Sequence, residues 1–114
     1  VGHLKQAELA ELVGRSAVGI ITSVWDEPFG LVFAEMLACG TPVAGFDSGA
    51  AAEIVTPEVG VLVAKYDVQA LAQVLGEVER SRDRARCRQR ADEAFPIGAM
   101  VDRYLAIYSF RDAK

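Results

Sequence analysis

The sequence has few of the residues that build metal sites and disulfide scaffolds. Its 114 residues include two cysteines and one histidine. Neither Cys39 nor Cys87 stands at a metal-ligand spacing, which is the pattern that zinc sites require. We therefore expect two free thiols, no bound metal and no disulfide framework.

The chain also has no excess of positive charge and no long apolar run. Its formal net charge is -4 and its pI is about 4.9, which disfavours the basic surface that nucleic-acid binding requires. No segment approaches the roughly 18 consecutive apolar residues of a membrane-spanning helix, and the N-terminus has no signal-peptide pattern. These absences predict a cytoplasmic domain that binds no nucleic acid.

What the sequence does contain is an alternation of strand and helix patterns. Short runs rich in β-branched residues predict buried strands over residues 17–22, 41–46 and 60–64. Helical spacing predicts helices over residues 5–13, 31–39, 50–54, 82–94 and 97–110, and one more that begins after the N-cap Asp67. Strands alternating with helices predict an α/β fold with a parallel sheet and helices on its faces.

The start of the chain predicts a partial domain. Val1-Gly2-His3 has no initiator Met and resembles the end of a strand that enters a loop. We expect residues 1–114 to form a single partial domain without its first strands, closed by a C-terminal helix over residues 97–114. Strands taken from a larger parallel sheet would leave one sheet edge and some apolar surface uncovered.

Two glutamates mark the stretch that follows the first predicted strand. Glu27 lies on the loop over residues 23–30, and Glu35 interrupts an otherwise almost wholly apolar helix. Such a helix is expected to be largely buried, so Glu35 is expected to need a partner. A helix that begins near Gly30 would direct its free N–H groups and its dipole at the carboxyl end of the strand, where anionic ligands bind.

The position of these two acids indicates a ligand with both phosphate and hydroxyl groups. Gly30 would let the backbone approach a phosphate closely. Carboxylates beside a phosphate would have to face its neutral, hydroxyl-bearing parts, which sugars provide. The spacing of Glu27 and Glu35 alone favours a plainer interpretation, in which one is a solvated loop acid and the other is satisfied by a core partner.

The longer sequence around the two glutamates favours the ligand-binding interpretation over the plainer one. Residues 25–43, WDEPFGLVFAEMLACGTPV, closely resemble the signature of glycosyltransferase family 4, the large retaining group with a GT-B fold. Its hallmark is a glutamate, seven residues, a second glutamate and then a small-Cys-Gly-Thr-Pro-Val stretch. The resemblance continues over residues 47–55, 59–63 and 104–108 and covers nearly the whole chain. Ala50 departs from a frequent glycine, and Ile97 departs from a frequent aromatic residue.

The resemblance implies a Rossmann-like three-layer sandwich, the C-terminal donor-binding part of a GT-B glycosyltransferase. It implies that Glu35 binds the ribose hydroxyls of a nucleoside diphosphate sugar and that Glu27, the catalytic candidate, lies near the transferred sugar or the reacting phosphate. Backbone amides of Phe29, Gly30 and Leu31 would contact the sugar and diphosphate. At the next turn, which contains Gly49 and Glu53, a backbone nest at Gly49 would contact the donor, or Glu53 would only favour the first turn of its helix.

The implied reaction is transfer of a hexose to an acceptor hydroxyl with retention at the anomeric carbon, without a metal or another cofactor. The Arg and Lys ligands of the diphosphate, the acceptor site and the N-terminal GT-B domain would all precede Val1. The chain alone is therefore expected to be inactive or nearly so.

Several alternatives stay open beside this interpretation. A non-catalytic module that binds nucleotide sugars is one, and a starch or glycogen synthase is a second, disfavoured because its own flanking motifs are not seen. His3 and Cys39 are weak candidates for an acid or base and for a nucleophile. The arginines at alternate positions over residues 80–90 predict a solvated helix, and contact with anionic lipid in the full-length protein is the less favoured alternative because the chain is acidic.

Overall fold

A three-stranded parallel sheet forms the centre of the chain. The computed structural model describes residues 2–26 and 28–112. Strands β1 (Gly19–Ile21), β2 (Val43–Phe46) and β3 (Gly60–Val63) lie in the order β1-β2-β3. The predicted parallel α/β sheet is therefore confirmed, although each strand is shorter than its sequence pattern.

Among the described residues, six helices connect and flank these strands. They are α1 (Gln6–Arg15), α2 (Leu31–Ala38), α3 (Ala51–Ile54), α4 (Val68–Arg80), α5 (Arg84–Ala94) and α6 (Ile97–Asp112). The side chain of Asp67 accepts a hydrogen bond from the Ala70 N–H at 3.0 Å, so the predicted N-cap of α4 is confirmed. Helix α1 continues through Gly14 to Arg15, two residues beyond its predicted end at Val13.

Two apolar clusters lie on opposite faces of the sheet and give the three layers. On one face, Ile21 and Val43 pack against residues of α2, α3 and α5, including Leu37. On the other face, Phe46 packs against α4 through Leu71. Alternate side chains of the fully buried strand β2 enter the two clusters, as the two-residue period of a strand requires.

Helix α5 joins the ends of other helices through its arginines. The guanidinium of Arg84 donates to the carbonyl of Gly14 in α1 and, at 3.5 Å, to that of Cys39 at the end of α2. The Nε of Arg90 donates to the carbonyl of Ile54 in α3 at 3.1 Å. The expectation that these arginines are simply solvated is wrong at these two positions, because carbonyls at helix ends lack intrahelical partners and accept them.

The two terminal helices pack loosely. Helix α1 buries no residue, and its last turn is held by polar contacts, among them a 2.6 Å hydrogen bond from Thr41 Oγ1 to the Val13 carbonyl. On α6, Tyr104 and Leu105 are each more than half exposed. The last two residues of the predicted closing helix, 113 and 114, lie outside the described residues. Within the described part of the chain, no helix is both long and apolar enough to cross a membrane.

Candidate functional site

The loops after the three strands meet at one edge of the sheet, because the strands are parallel. The loop after β1 reaches α2 at Gly30, the turn after β2 contains Gly49, and the turn after β3 contains Lys65. These three connections form the rim at which the sequence predicts the donor site.

Gly30 forms the N-cap of α2 in a left-handed conformation, with φ 77°. Its carbonyl accepts the first hydrogen bonds of the helix, from the N–H groups of Phe33 at 3.1 Å and Ala34 at 3.4 Å. A Cβ at Gly30 would lie 2.9 Å from a ring carbon of Phe33. Glycine is thus required by the turn itself, a structural reason that is independent of any phosphate.

The first turn of α2 points its backbone donors at the rim. Because the helix begins at Leu31, the N–H groups of Leu31 and Val32 have no intrahelical acceptor. Together with the helix dipole they provide partial positive charge at the carboxyl end of β1. A cavity of about 420 Å³ opens there, lined by residues of β1, the start of α2 and Thr22 and Ser23 between them.

Glu35 is exposed, so the expectation that it is buried among core residues is wrong. Helix α2 buries Phe33, Ala34 and Leu37 against the sheet, whereas its opposite side, with Leu31 at 62% exposed, faces outward. An apolar sequence therefore did not indicate a helix buried on all sides. The carboxylate of Glu35 needs no internal partner because water reaches it.

The exposed side of α2 forms one wall of a larger cavity. This cavity has a volume of about 740 Å³ and lies between α2, the end of α5 and α6. Phe29, Leu31 and Glu35 line it, and Asp92 and Arg103 are charged residues on the facing helices. Most of the remaining lining is apolar, which is typical of a cavity that accepts an organic ligand with a few oriented polar groups.

Phe29 lines this cavity, and its ring packs against the end of α5. The ring meets that of Phe95 edge to face, with centroids 5.8 Å apart, and the Arg90 guanidinium lies 5.9 Å from the Phe95 centroid. These contacts connect the end of the rim loop to α5. The Phe29 side chain is still 51% exposed, so its ring is available to a ligand as well.

The rim loop after β1 is also connected to the two neighbouring turns. Ser48, which is 3% exposed, donates its hydroxyl to the carbonyl of Trp25. Lys65 Nζ lies 2.7 Å from Asp26 Oδ1. The hydrogen bond and the charge of Lys65, with a smaller contribution from the Gly49 N–H, lower the pKa of Asp26 below its ordinary value.

The structure brings some of the predicted site residues together and not others. Phe29, Gly30, Leu31 and Glu35 are contiguous along the start of α2. Gly49 lies apart from both cavities, on the exposed turn after β2, with φ 54°. Glu27 lies outside the described residues, so its role remains a prediction.

Sequence reasoning missed the pair formed by Lys65 and Asp26. The two residues are 39 positions apart in the chain, and neither is one of the two glutamates of the motif. A signal existed nonetheless, because Lys65 follows the third strand and Asp26 follows the first, and such residues meet at one edge of a parallel sheet.

Among the residues that the structure describes, neither Cys39 nor Cys87 has the surroundings that activate a cysteine nucleophile. Both cysteines are free, and Cys87 is fully buried in the core. Burial raises the pKa of the Cys87 thiol, so the thiolate form needed for attack is disfavoured. Cys39 lies at the end of α2, where its carbonyl accepts a hydrogen bond from Arg84. His3 is exposed near the start of the chain.

Comparisons with known proteins identify relatives for most of the chain. Residues 1–94 match the family model described as glycosyl transferases group 1. A protein named glycogen synthase from Mycobacterium tuberculosis is 38% identical over 101 residues, which are 83% of this chain and 24% of that protein.

Two further relatives match over still more of the chain. A protein named MMP alpha-(1->4)-mannosyltransferase from Mycolicibacterium hassiacum is 35% identical over 92% of this chain and 27% of its own length. One named D-inositol 3-phosphate glycosyltransferase from Thermomonospora curvata is 38% identical over 91% of this chain and 25% of its own length. The chain thus spans about a quarter of the length of these curated relatives.

Proposed function

The chain belongs to the glycosyl transferases group 1 family, and on that premise we propose that it is the donor-binding part of a retaining glycosyltransferase of family 4. Its parallel sheet with helices on both faces is the Rossmann-like architecture of the C-terminal domain of GT-B enzymes. The proposed donor is a nucleoside diphosphate sugar, and the acceptor supplies a hydroxyl group.

The observation that carries this proposal is the geometry at the start of α2. Free N–H groups of Leu31 and Val32 face the rim, and Phe29, Leu31 and Glu35 line the adjacent cavity. A diphosphate at the helix N-terminus and a ribose beside Glu35 would use both features, since amides and a helix dipole favour anions and a carboxylate accepts from hydroxyls. Gly49 is a weaker donor contact, because its N–H already faces Asp26.

The proposed chemistry requires stabilisation of the departing diphosphate. The bond between the anomeric carbon and the diphosphate oxygen breaks, the acceptor oxygen bonds to that carbon, and the acceptor proton is released. Negative charge grows on the diphosphate, and the amides at the start of α2 are suited to stabilise it without a metal ion. Glu27 is proposed to act near the transferred sugar.

We further propose that transfer requires an N-terminal GT-B domain and additional strands in the same protein. Two features of the structure support this. The outer edge of β1 has no partner strand among the described residues, and Ile20 on that strand is 50% exposed. An added parallel strand would pair that edge and cover this apolar side chain. The 114-residue chain alone is then expected to transfer little or no sugar.

The test uses the complete protein and a panel of donors. Saturation-transfer NMR with UDP-glucose, ADP-glucose and GDP-mannose reports binding across three nucleobases, and release of the nucleoside diphosphate reports cleavage. We expect one donor to bind and to be cleaved, and the anomeric configuration of the product to match that of the donor. Glu27→Gln is expected to keep binding and lose cleavage. Binding without cleavage by the complete wild-type protein would favour the non-catalytic module, and inversion would refute retention.

A starch or glycogen synthase is the second candidate reaction. The relative named glycogen synthase favours it, whereas the relative named a mannosyltransferase favours a different sugar. Preferential cleavage of a glucose donor with growth of an α-glucan chain would select the synthase, and preference for GDP-mannose would exclude it.

A further inference from the structure

The rim loop over residues 23–30 is short of apolar anchors before its last residues. Val24 is 42% exposed and Trp25 is 69% exposed, so hydrophobic burial does little to fix this part of the loop. Two polar contacts connect Trp25 and Asp26 to the turns after β2 and β3. Those turns therefore help to set where this part of the loop lies.

The turn after β3 is itself held firmly at both ends. The N–H of Asp67 donates to the Ala64 carbonyl at 3.1 Å, and Tyr66 occupies the third position with φ 67°, as in a type II turn. Asp67 then caps α4. Lys65 is thus carried on a closed turn between a strand and a capped helix, and its side chain is only 32% exposed.

Lys65 and Ser48 bind consecutive residues of the rim loop. Ser48 donates to the Trp25 carbonyl, and Lys65 contacts the Asp26 carboxylate at 2.7 Å. The buried hydroxyl of Ser48 fixes the backbone at Trp25. The lysine holds the next side chain, so the two contacts fix the backbone at Trp25 and the carboxylate of Asp26.

We propose that Lys65 and Ser48 are positioning residues, which hold Trp25 and Asp26 in the arrangement that sugar cleavage requires. This inference rests on the proposed function, in which Glu27 acts near the reacting centre. Neither residue is expected to touch the nucleotide, because Lys65 is directed at Asp26 and Ser48 at the loop backbone. Their loss should therefore lower the rate of sugar cleavage and leave nucleotide affinity unchanged.

The expected effect is modest because the Lys65–Asp26 pair is partly exposed to solvent, with Asp26 at 79%. Pairs of this kind shift equilibria by about 1.4- to 5-fold. We expect Lys65→Met, which keeps the aliphatic stem, to lower kcat for release of the nucleoside diphosphate by about 2- to 5-fold. The charge-exchanged variant Asp26→Lys with Lys65→Asp should recover most of that loss.

The matched control is the exposed pair of Arg15 and Glu11, 3.9 Å apart in α1. Helix α1 leads into the amino end of β1, whereas the rim lies at the carboxyl ends of the strands. Arg15→Met removes a cation from a surface pair in the same way and should leave kcat unchanged. Equal kcat for Lys65→Met and Arg15→Met overturns the inference. Weaker affinity of Lys65→Met for UDP, ADP or GDP, measured by calorimetry on the complete protein, also overturns it, because Lys65 would then contact the donor.

A second measurement needs no activity. Trp25 is the one tryptophan among these 114 residues and lies within the segment that Lys65 and Ser48 hold. In the complete protein, with any tryptophan outside these residues replaced by Phe, its time-resolved fluorescence anisotropy reports the local motion of the loop. Lys65→Met and Ser48→Ala should each increase the amplitude of its nanosecond motion, and Arg15→Met should not. Unchanged motion in both rim variants overturns the inference. If the wild-type protein binds no donor and the two rim variants still increase this motion, the proposed function is refuted, while the role of Lys65 and Ser48 in holding the loop is supported.

Discussion

Replacing Arg84 by Met tests whether α5 holds the other helices together through polar contacts. Methionine keeps the length and apolar character of the stem, so the change removes mainly the guanidinium. In the structure that group donates to the Gly14 carbonyl in α1 and approaches the Cys39 carbonyl at 3.5 Å. Helix α1 buries no residue, which makes it dependent on such contacts.

The magnitude follows from the number and setting of these bonds. A hydrogen bond that involves a charged group contributes about 1.5–3 kcal/mol. The contact to Cys39 is at the limit of hydrogen bonding, and the freed carbonyls are near enough to the surface to be rehydrated. We therefore expect the lower end, a loss of about 1.5 kcal/mol, which corresponds to a fall in Tm of roughly 6 to 12 °C for a domain of about 100 residues.

Urea denaturation of the wild-type and variant chains measures this loss, with Arg88→Met as the control. Arg88 lies one turn further along α5 and is exposed. Amide hydrogen exchange should show faster exchange first in α1, because that helix loses its attachment. A difference between Arg84→Met and Arg88→Met of less than about 0.5 kcal/mol, the usual range of surface substitutions, would refute the assigned role of Arg84.

Three further outcomes follow from single residues. With excess thiol reagent at neutral pH, Cys39 should react in the native chain, whereas the fully buried Cys87 should react only after unfolding, because burial raises the pKa of its thiol. Equal reaction rates of the two thiols in the native chain would contradict this. Carbon-13 NMR titration should find the pKa of Asp26 below the ordinary value of an aspartate, and Lys65→Met should raise it. Lys65 stabilises the carboxylate form of Asp26, so the contribution of this pair to folding stability is present at neutral pH and is lost as pH falls through the lowered pKa. An Asp26 pKa that Lys65→Met does not change would show that the pair does not form in solution. Tyr66→Gly should stabilise the chain by up to about 1 kcal/mol in urea denaturation. Tyr66 has φ 67°, and relief of left-handed strain of about 1–2 kcal/mol exceeds the entropic cost of glycine. Destabilisation by this substitution would be inconsistent with strain at this turn.

The fold was predictable because its signals are local. The β-branched runs and the helical spacing lie within single segments, and the N-cap Asp67 lies next to the helix it begins. The burial of α2 was not predictable from the same pattern. Its apolar side chains include Leu31 and Val32, both at least half exposed, and periodicity does not say which face of an apolar helix meets its own domain.

The particular partners in the polar contacts between distant segments could not be predicted from the sequence. Arg84 and Arg90 bind backbone carbonyls, and since every residue carries a carbonyl, no residue type marks the acceptor. The start of α2 was predictable as a candidate site because a strand, a loop, a glycine and a helix follow one another there. The contact of Lys65 with Asp26 was not, since it depends on the approach of two connections from different strands.

The affinity of the complete protein for its nucleoside diphosphate tests the central claim most directly. The comparison is between Glu35→Ala, on the cavity wall, and Glu79→Ala, an exposed glutamate on α4 at the other face of the sheet. Isothermal titration calorimetry with UDP, ADP and GDP identifies the nucleotide that binds. A hydrogen bond to a charged group contributes about 1.5–3 kcal/mol. We therefore expect Glu35→Ala to weaken the affinity for this nucleotide by about tenfold or more. Glu79→Ala should bind as the wild type does, and equal affinity of both variants would contradict the assignment of the α2 cavity as the donor site.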